Sequence, residues 1–415
     1  MKQIKIILPA LFILHSIVSS QSPTGLIPLN DLKSGYYKTY QGGLYPNGEN
    51  VRPFRHDSLG LYLSEQIKPL DSSGSVDAAN GKIVLLSIGM SNTTQEFSTF
   101  MPIANGDNSK NPKLILVDGA QGGQTASIIS DPSANFWSVI TTRLQAANVT
   151  ANQVQVCWIK EADAGPSQGF PAYANKLRDE LLTVARNIKQ KYPNCRLAYL
   201  SSRTYGGYAT TNLNPEPYAY ESGFSVKWLI EKQINGDPLL DCAGSSPVAP
   251  WLAWGPYLWA DGTNPRSDGM MWLIDDFVTS DRTHPSASGV IKVAEALLNF
   301  FKTDGTAAKW FLKGGTSSAH PEEQENIPDK FLLEQNYPNP FNPETVIKFT
   351  LPKRSKVKLE IFDLLGRSVA TLADDELDAG NYKYKWNASK FATSVYIYKI
   401  SADDFTSSKK LMLIK

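Results

Sequence analysis

Three short stretches of this sequence carry residues whose types and spacing suit chemistry. Ser91 stands in Ser87-Ile88-Gly89-Met90-Ser91-Asn92, directly after an apolar run, where a strand should give way to a helix. The first N–H groups of a helix have no intrahelical partner and are free to face a substrate oxygen. Taken alone, such a serine reads more readily as a helix N-cap. Asp118-Gly119-Ala120-Gln121-Gly122-Gly123-Gln124-Thr125 follows a second apolar run. Its glycines allow the main chain to approach a ligand and to present N–H donors. Asp281-Arg282-Thr283-His284-Pro285 supplies an imidazole with a carboxylate three residues earlier, a spacing that His56 and His320 lack. Asp281 at that distance can hold the ring in one tautomer while the other nitrogen faces a hydroxyl. So few histidines, and no paired cysteines, argue against a metal centre.

These stretches need a scaffold, and the hydrophobic pattern supplies one. Residues 82–89, 113–118, 154–159 and 196–202 read as buried strands. Between the last two, Tyr173, Leu177, Leu181, Val184, Ile188 and Tyr192 recur at helical steps, and a second amphipathic stripe (Val290, Ala294, Leu297, Leu298, Phe301) follows Pro285. Strands alternating with helices predict an α/β fold, a parallel sheet covered on both faces with reactive groups beyond its carboxyl ends. Residues 314–329, rich in Gly, Ser, Pro and Glu, read as a linker. From 330 to 415 the period changes to two: Val357, Leu359 and Ile361 alternate with Lys358 and Glu360, and Tyr382, Tyr384 and Trp386 with Lys383 and Lys385. Short strands at that spacing predict a small all-β sandwich.

A chain of 415 residues is long enough for two domains, and a net charge of +1 points to no nucleic-acid partner. Lys2 and Lys5, the apolar run 6–18 and the small residues Ser19 and Ser20 read as a signal peptide over 1–20, with an uncleaved anchor as the alternative. No later segment has the length of a membrane span. Among three cysteines at least one stays unpaired; Cys157 reads as a buried thiol, while Cys195 and Cys242 are candidates for a pair. The segment 21–80 reads as an N-terminal extension.

In order and spacing, the three chemical stretches resemble the SGNH (GDSL-like) hydrolases over 81–313. Gly89-Met90-Ser91-Asn92 is nearest to the block of the carbohydrate acetylesterases related to sialate O-acetylesterase. The resemblance implies a three-layer α/β/α flavodoxin-like domain and a cofactor-free serine esterase. Ser91 would be nucleophile, His284 general base and Asp281 its orienting partner, with the N–H groups of Ser91 and Gly123 as oxyanion donors. Asn92 and Gln124, beside them, and Glu161 join the substrate-binding candidates. The family's oxyanion asparagine after the third strand is absent. Trp158-Ile159-Lys160-Glu161 stands there, echoing the acetylesterase Trp-x-Gln-Gly-Glu through Trp158 and Glu161, with Lys160 as a possible cationic donor.

The tryptophan-rich stretch 251–272 reads as a long loop bordering the pocket or, equally, as a hydrophobic cluster under such a loop. On the first reading Trp254, Tyr257, Trp259 and Arg266 would meet a carbohydrate or small ester. A catalytically impaired glycan-binding or surface protein on the same fold is the rival expectation.

The C-terminal segment resembles the type A sorting domain of the type IX secretion system. The resemblance rests on Gln335-Asn336-Tyr337-Pro338-Asn339-Pro340-Phe341-Asn342-Pro343, Ile361-Phe362-Asp363-Leu364-Leu365-Gly366 and Lys410-Leu411-Met412-Leu413-Ile414-Lys415. It implies an immunoglobulin-like sandwich, the type IX machinery of Bacteroidetes as partner, and release or surface attachment after passage through the periplasm and outer membrane.

Overall fold

Four consecutive apolar runs and one that is easily missed build the central sheet. The computed structural model describes residues 23–244, 246–314, 330–336, 339–377 and 380–414. The expected signal peptide lies outside them, as do all of the expected linker but Gly314, and His320. Strands β1 (Ile83–Gly89), β2 (Leu114–Asp118), β3 (Val154–Lys160), β4 (Leu197–Leu200) and β5 (Trp251–Trp254) pair in parallel in the order β2-β1-β3-β4-β5. Every residue of β1, β3, β4 and β5 is buried, as expected for strands covered on both faces.

Right-handed crossovers fix where the helices lie. The chain steps one way from β1 to β2 through α1 (Ser91–Gly106), and the other way from β2 through α2 (Asn135–Ala146) to β3, through α3 (Ala172–Lys191) to β4 and through α4 (Tyr218–Ile234) to β5. The reversal puts α1 on one face and the next three helices on the other. A last helix, α5 (Ala287–Thr303), returns to pack on α1, while α3 packs on α4. The predicted stripe of α3 is buried at Tyr173, Leu177, Leu181, Val184 and Ile188. In α5, Ala294, Leu297 and Phe301 are buried with Val293, while Val290 and Leu298 are only partly covered.

Two expectations need correction. The stretch 251–272 is no loop throughout, because Trp251–Trp254 is the edge strand β5, paired with Leu197–Leu200. Four apolar residues between Pro250 and Gly255 make a strand too short to show a period. Its tryptophans are core: the Trp251 indole donates to the His56 carbonyl (3.0 Å), Trp254 to Leu44 (2.6 Å) and Trp272 to Leu258 (2.8 Å). Cys195 lies beside Cys157, with Sγ atoms 3.7 Å apart, so its neighbour is not Cys242; all three cysteines are free thiols.

Residues ahead of Gly81 share the core of the sheet through Leu29, Tyr45, Leu63 and Ile67. The Arg52 guanidinium ties this segment to Asp304 (2.7 Å), and Lys227 Nζ donates to the Tyr45 carbonyl (3.0 Å). It is part of the α/β unit.

The C-terminal unit has two antiparallel sheets around a core of its own. Strands β6 (Glu344–Leu351), β7 (Ser355–Phe362), β8 (Ser368–Leu377), β9 (Gly380–Asn387), β10 (Ser394–Ala402) and β11 (Phe405–Leu413) form a sheet ordered β8-β7-β10-β11, and a second in which β9 pairs with β6 and β6 with Leu332–Leu333. Val357, Leu359, Ile361 and Trp386 point inward, and in β10 the inward set is Tyr396, Tyr398 and Ile400. No helix among the described residues is long and apolar enough to cross a membrane.

Candidate active site

The order of the strands reverses beside β1, and a crevice opens there at the carboxyl ends of β1 and β3. Ser91 is the first residue of α1, two positions after β1 ends. The sharp entry requires Gly89, where a Cβ would come within 2.4 Å of the Lys160 carbonyl oxygen. Ser91 Oγ lies 2.7 Å from His284 Nε2, and His284 Nδ1 lies 2.7 Å from Asp281 Oδ2. An ionised Asp281 accepts only, so Nδ1 carries the proton and Nε2 is left to accept from the Ser91 hydroxyl.

Asp281 is itself held in place. Its Oδ1 accepts the backbone N–H groups of Thr283 (2.8 Å) and His284 (2.9 Å). Burial pushes its carboxyl up, but these bonds and the imidazole outweigh it and hold the group below the usual carboxylate range. Asn92 donates from Nδ2 to the Thr283 carbonyl (2.9 Å), which ties the start of α1 to the histidine loop.

The glycine loop after β2 is pinned from below. Asp118 accepts the Ser87 hydroxyl (2.5 Å) and the Ala120 N–H (3.1 Å), Gln121 N–H reaches the Gly89 carbonyl (2.9 Å), and Arg143 caps the carbonyls of Asp118 and Ala120. Gly123 adopts φ +73°, a left-handed conformation that favours glycine. Its N–H has no hydrogen-bond partner among the described residues. Ser91, Asn92, Gly123, Ala162, Arg203 and His284 are among the residues that wall a cavity of about 230 Å³.

Other expected site residues lie elsewhere. Lys160 is fully buried in an ion pair with Glu96 and is not among the residues that line the cavity, a poor position for an oxyanion donor. The stretch VQVCWIK continues as strand through Lys160, which turns that side chain into the core. Glu161 is buried behind the wall, with Oε2 on the Ala162 N–H (3.1 Å) and its carboxyl pushed well above the usual range by burial. Gln124 stands beside the cavity without lining it, and Thr125 takes that place. Trp254 and Trp259 are core residues. Tyr257 and Arg266 border a different hollow of about 680 Å³, where Arg266 is committed to Asp268 and to the carbonyls of Tyr257 and Trp259.

Reasoning from sequence missed Met90, Asp163, Arg203 and Asn214, which line the cavity. Arg203 had a findable signal, since it follows the carboxyl end of a predicted strand.

A family model described as a secretion system C-terminal sorting domain matches residues 335–415. No curated protein matches the chain. Among solved structures, PorZ, a surface component of the type IX secretion system of Porphyromonas gingivalis, is 22% identical with a TM-score of 0.15, covering 25% of this chain and 13% of that one. The periplasmic domain of a lipopolysaccharide acetyltransferase of Salmonella ser. Paratyphi A is 14% identical with a TM-score of 0.28, covering 60% of this chain and 94% of that one. A Cellulomonas fimi endo-β-1,4-mannanase double mutant is 12% identical with a TM-score of 0.21, over 93% and 72%. Likenesses this weak carry no argument about the α/β unit. Residues 335–415 are a type IX secretion sorting domain, and the chain is exported by that system to the cell surface or beyond.

Proposed function

We propose that the α/β unit is a serine esterase of the SGNH type that removes acyl groups, acetyl foremost, from a carbohydrate. The observation that carries this reading is the line Ser91–His284–Asp281, with both links at 2.7 Å, opening on a cavity at the reversal of strand order. The strand order, numbered along the sheet as 2-1-3-4-5, is that of flavodoxin-like sheets and supports the same reading.

Ser91 Oγ attacks the ester carbonyl as its proton passes to His284 Nε2, and the Asp281 carboxylate stabilises the imidazolium. The tetrahedral oxyanion takes the N–H groups of Ser91 and Gly123. His284 then protonates the leaving alcohol, and water, deprotonated by the same nitrogen, releases the acid from the acyl-serine. The loop after β3 brings Ala162 and Asp163 to the cavity in place of an asparagine. Neither side chain donates when Asp163 is ionised, and its carboxylate is already held by Lys176 (2.5 Å). One missing donor is worth about 10²–10³ in rate, so turnover should be modest.

A fluorophosphonate probe should label the wild type and not Ser91→Ala; labelling of neither would favour a glycan-binding protein that has lost catalysis. Acetate release from acetylated xylan, pectin and sialic acids would then sort substrates. Asp281→Asn keeps the shape but removes the charge that fixes the tautomer. Turnover of an aryl acetate should fall about 10⁴-fold with little change in KM, and a fall of less than tenfold would remove Asp281 from the mechanism.

A further inference from the structure

Arg203 lines the cavity, is not used by this mechanism and is not explained by ordinary packing. It follows β4, is only 3% exposed, and lines the same cavity as Ser91 and His284. Its Nε is buried without a hydrogen-bond partner, and Nη1 makes a single contact, 3.7 Å to the Met90 sulfur. A buried guanidinium normally lies against a carboxylate.

Three of the nearby acids are engaged elsewhere. Glu96 is paired with Lys160, and Asp163 with Lys176. Glu216 accepts from Trp259 Nε1 (2.7 Å) and from the N–H groups of Gly206 and Tyr220. Glu161 keeps Oε2 on the Ala162 N–H while its Oε1 is buried without a partner, yet burial favours its neutral form and no ion pair joins it to Arg203. Among the described residues no carboxylate oxygen comes within 4.0 Å of the guanidinium.

We infer that Arg203 anchors a carboxylate of the substrate, so that the preferred ester is an anionic one. The inference rests on Ser91 being the nucleophile of an esterase. Strand order separates this role from that of an oxyanion donor. Gly123 follows β2, on one side of Ser91, whereas Arg203 follows β4, two strands away on the other side. At roughly 4.8 Å between neighbouring strands, the Arg203 main chain starts about 10 Å from that of Ser91. Its guanidinium reaches back to the Met90 sulfur (3.7 Å). With the oxyanion assigned to the Ser91 and Gly123 N–H groups, the guanidinium is left for another part of the same molecule. Its free fork suits two carboxylate oxygens, and the buried carbonyl Oδ1 of Asn214, also unpartnered on the cavity wall, suits a neighbouring hydroxyl.

The test compares matched esters. Phenyl acetate against 3-acetoxybenzoate places a carboxylate on the alcohol side; 4-nitrophenyl acetate against mono-4-nitrophenyl glutarate places it on the acyl side. In the wild type at least one anionic ester should show a KM at least tenfold below its neutral partner. Arg203→Met should erase that advantage by raising the KM of the anionic ester, while Arg203→Lys restores part of it. Equal KM within both pairs, or an equal loss of kcat for anionic and neutral esters in Arg203→Met, would overturn the inference. Calorimetric binding of 3-acetoxybenzoate to Ser91→Ala needs no turnover. Binding that Arg203→Met abolishes, in a protein whose wild type hydrolyses nothing, would keep the anion site and retire the esterase.

Discussion

Ser91→Ala is expected to abolish fluorophosphonate labelling and to lower kcat on an aryl acetate by about 10⁴–10⁶-fold. The size follows from what one oxygen does here. It is the atom that bonds to the acyl carbon, and it is also what the His284 Nε2, 2.7 Å away, is placed to deprotonate. Without it the imidazole has only water to activate, and what remains is the contribution of the N–H donors and of binding, about 10³–10⁴ over the uncatalysed rate. His284→Ala should lose a similar factor, and the double variant should lose no more than either single one, because the groups act as a unit. Folding should be untouched. Ser91 is the first residue of α1, and its hydroxyl makes no cap bond to the helix. The urea midpoint of Ser91→Ala should therefore match the wild type. A shifted midpoint would mean that the lost rate reports on stability, and a kcat within tenfold of wild type would remove Ser91 from the chemistry.

The parts of the molecule that could be read from sequence are those where one physical signal dominates. Four buried strands announce themselves as apolar runs, and α3 as an amphipathic stripe carried from Tyr173 to Ile188. Ser91 and Gly123 follow such strands and sit at turns whose backbone demands a small residue or glycine, while Asp281 and His284 lie close enough in sequence to be read as a pair. What escaped notice depends on tertiary contacts. The strand Trp251–Trp254 is too short to show a period, and its indoles suggest a sugar-binding loop until their N–H partners, all main-chain carbonyls or Glu216, are known. Lys160 looked like a donor because it ends a strand at the crevice. Its partner Glu96 lies 64 residues away on α1, a pairing no local pattern could reveal. Asn214 reaches the cavity from far along the same connection between β4 and α4 that carries Arg203, a path set by tertiary contacts.

That buried pair gives the second large effect. Lys160 Nζ donates to both oxygens of Glu96, at 2.7 Å for Oε2, with both side chains wholly excluded from water. Lys160→Met leaves the Glu96 carboxylate buried and alone, and should destabilise the fold by about 3–5 kcal/mol near neutral pH. Burial already pushes the Glu96 carboxyl up, and without Lys160 it should rise further. A carboxyl raised in the folded state contributes most below its unfolded value and loses that contribution as pH rises through the raised one. The Lys160→Met deficit should therefore shrink as pH falls toward 4.5 and grow as pH rises from there, which urea melts at several pH values would show. Replacing both partners by methionine removes the stranded charge, and the double variant should be neutral or more stable by about 1–4 kcal/mol. It also separates the two readings of Lys160. If the lysine only fills the core, the double variant keeps kcat on an aryl acetate within a few-fold of wild type. If Lys160 supplied the missing oxyanion donor, kcat would fall about 10²–10³ in a protein that still melts like the wild type, and the hole would have to be redrawn around the β3 loop.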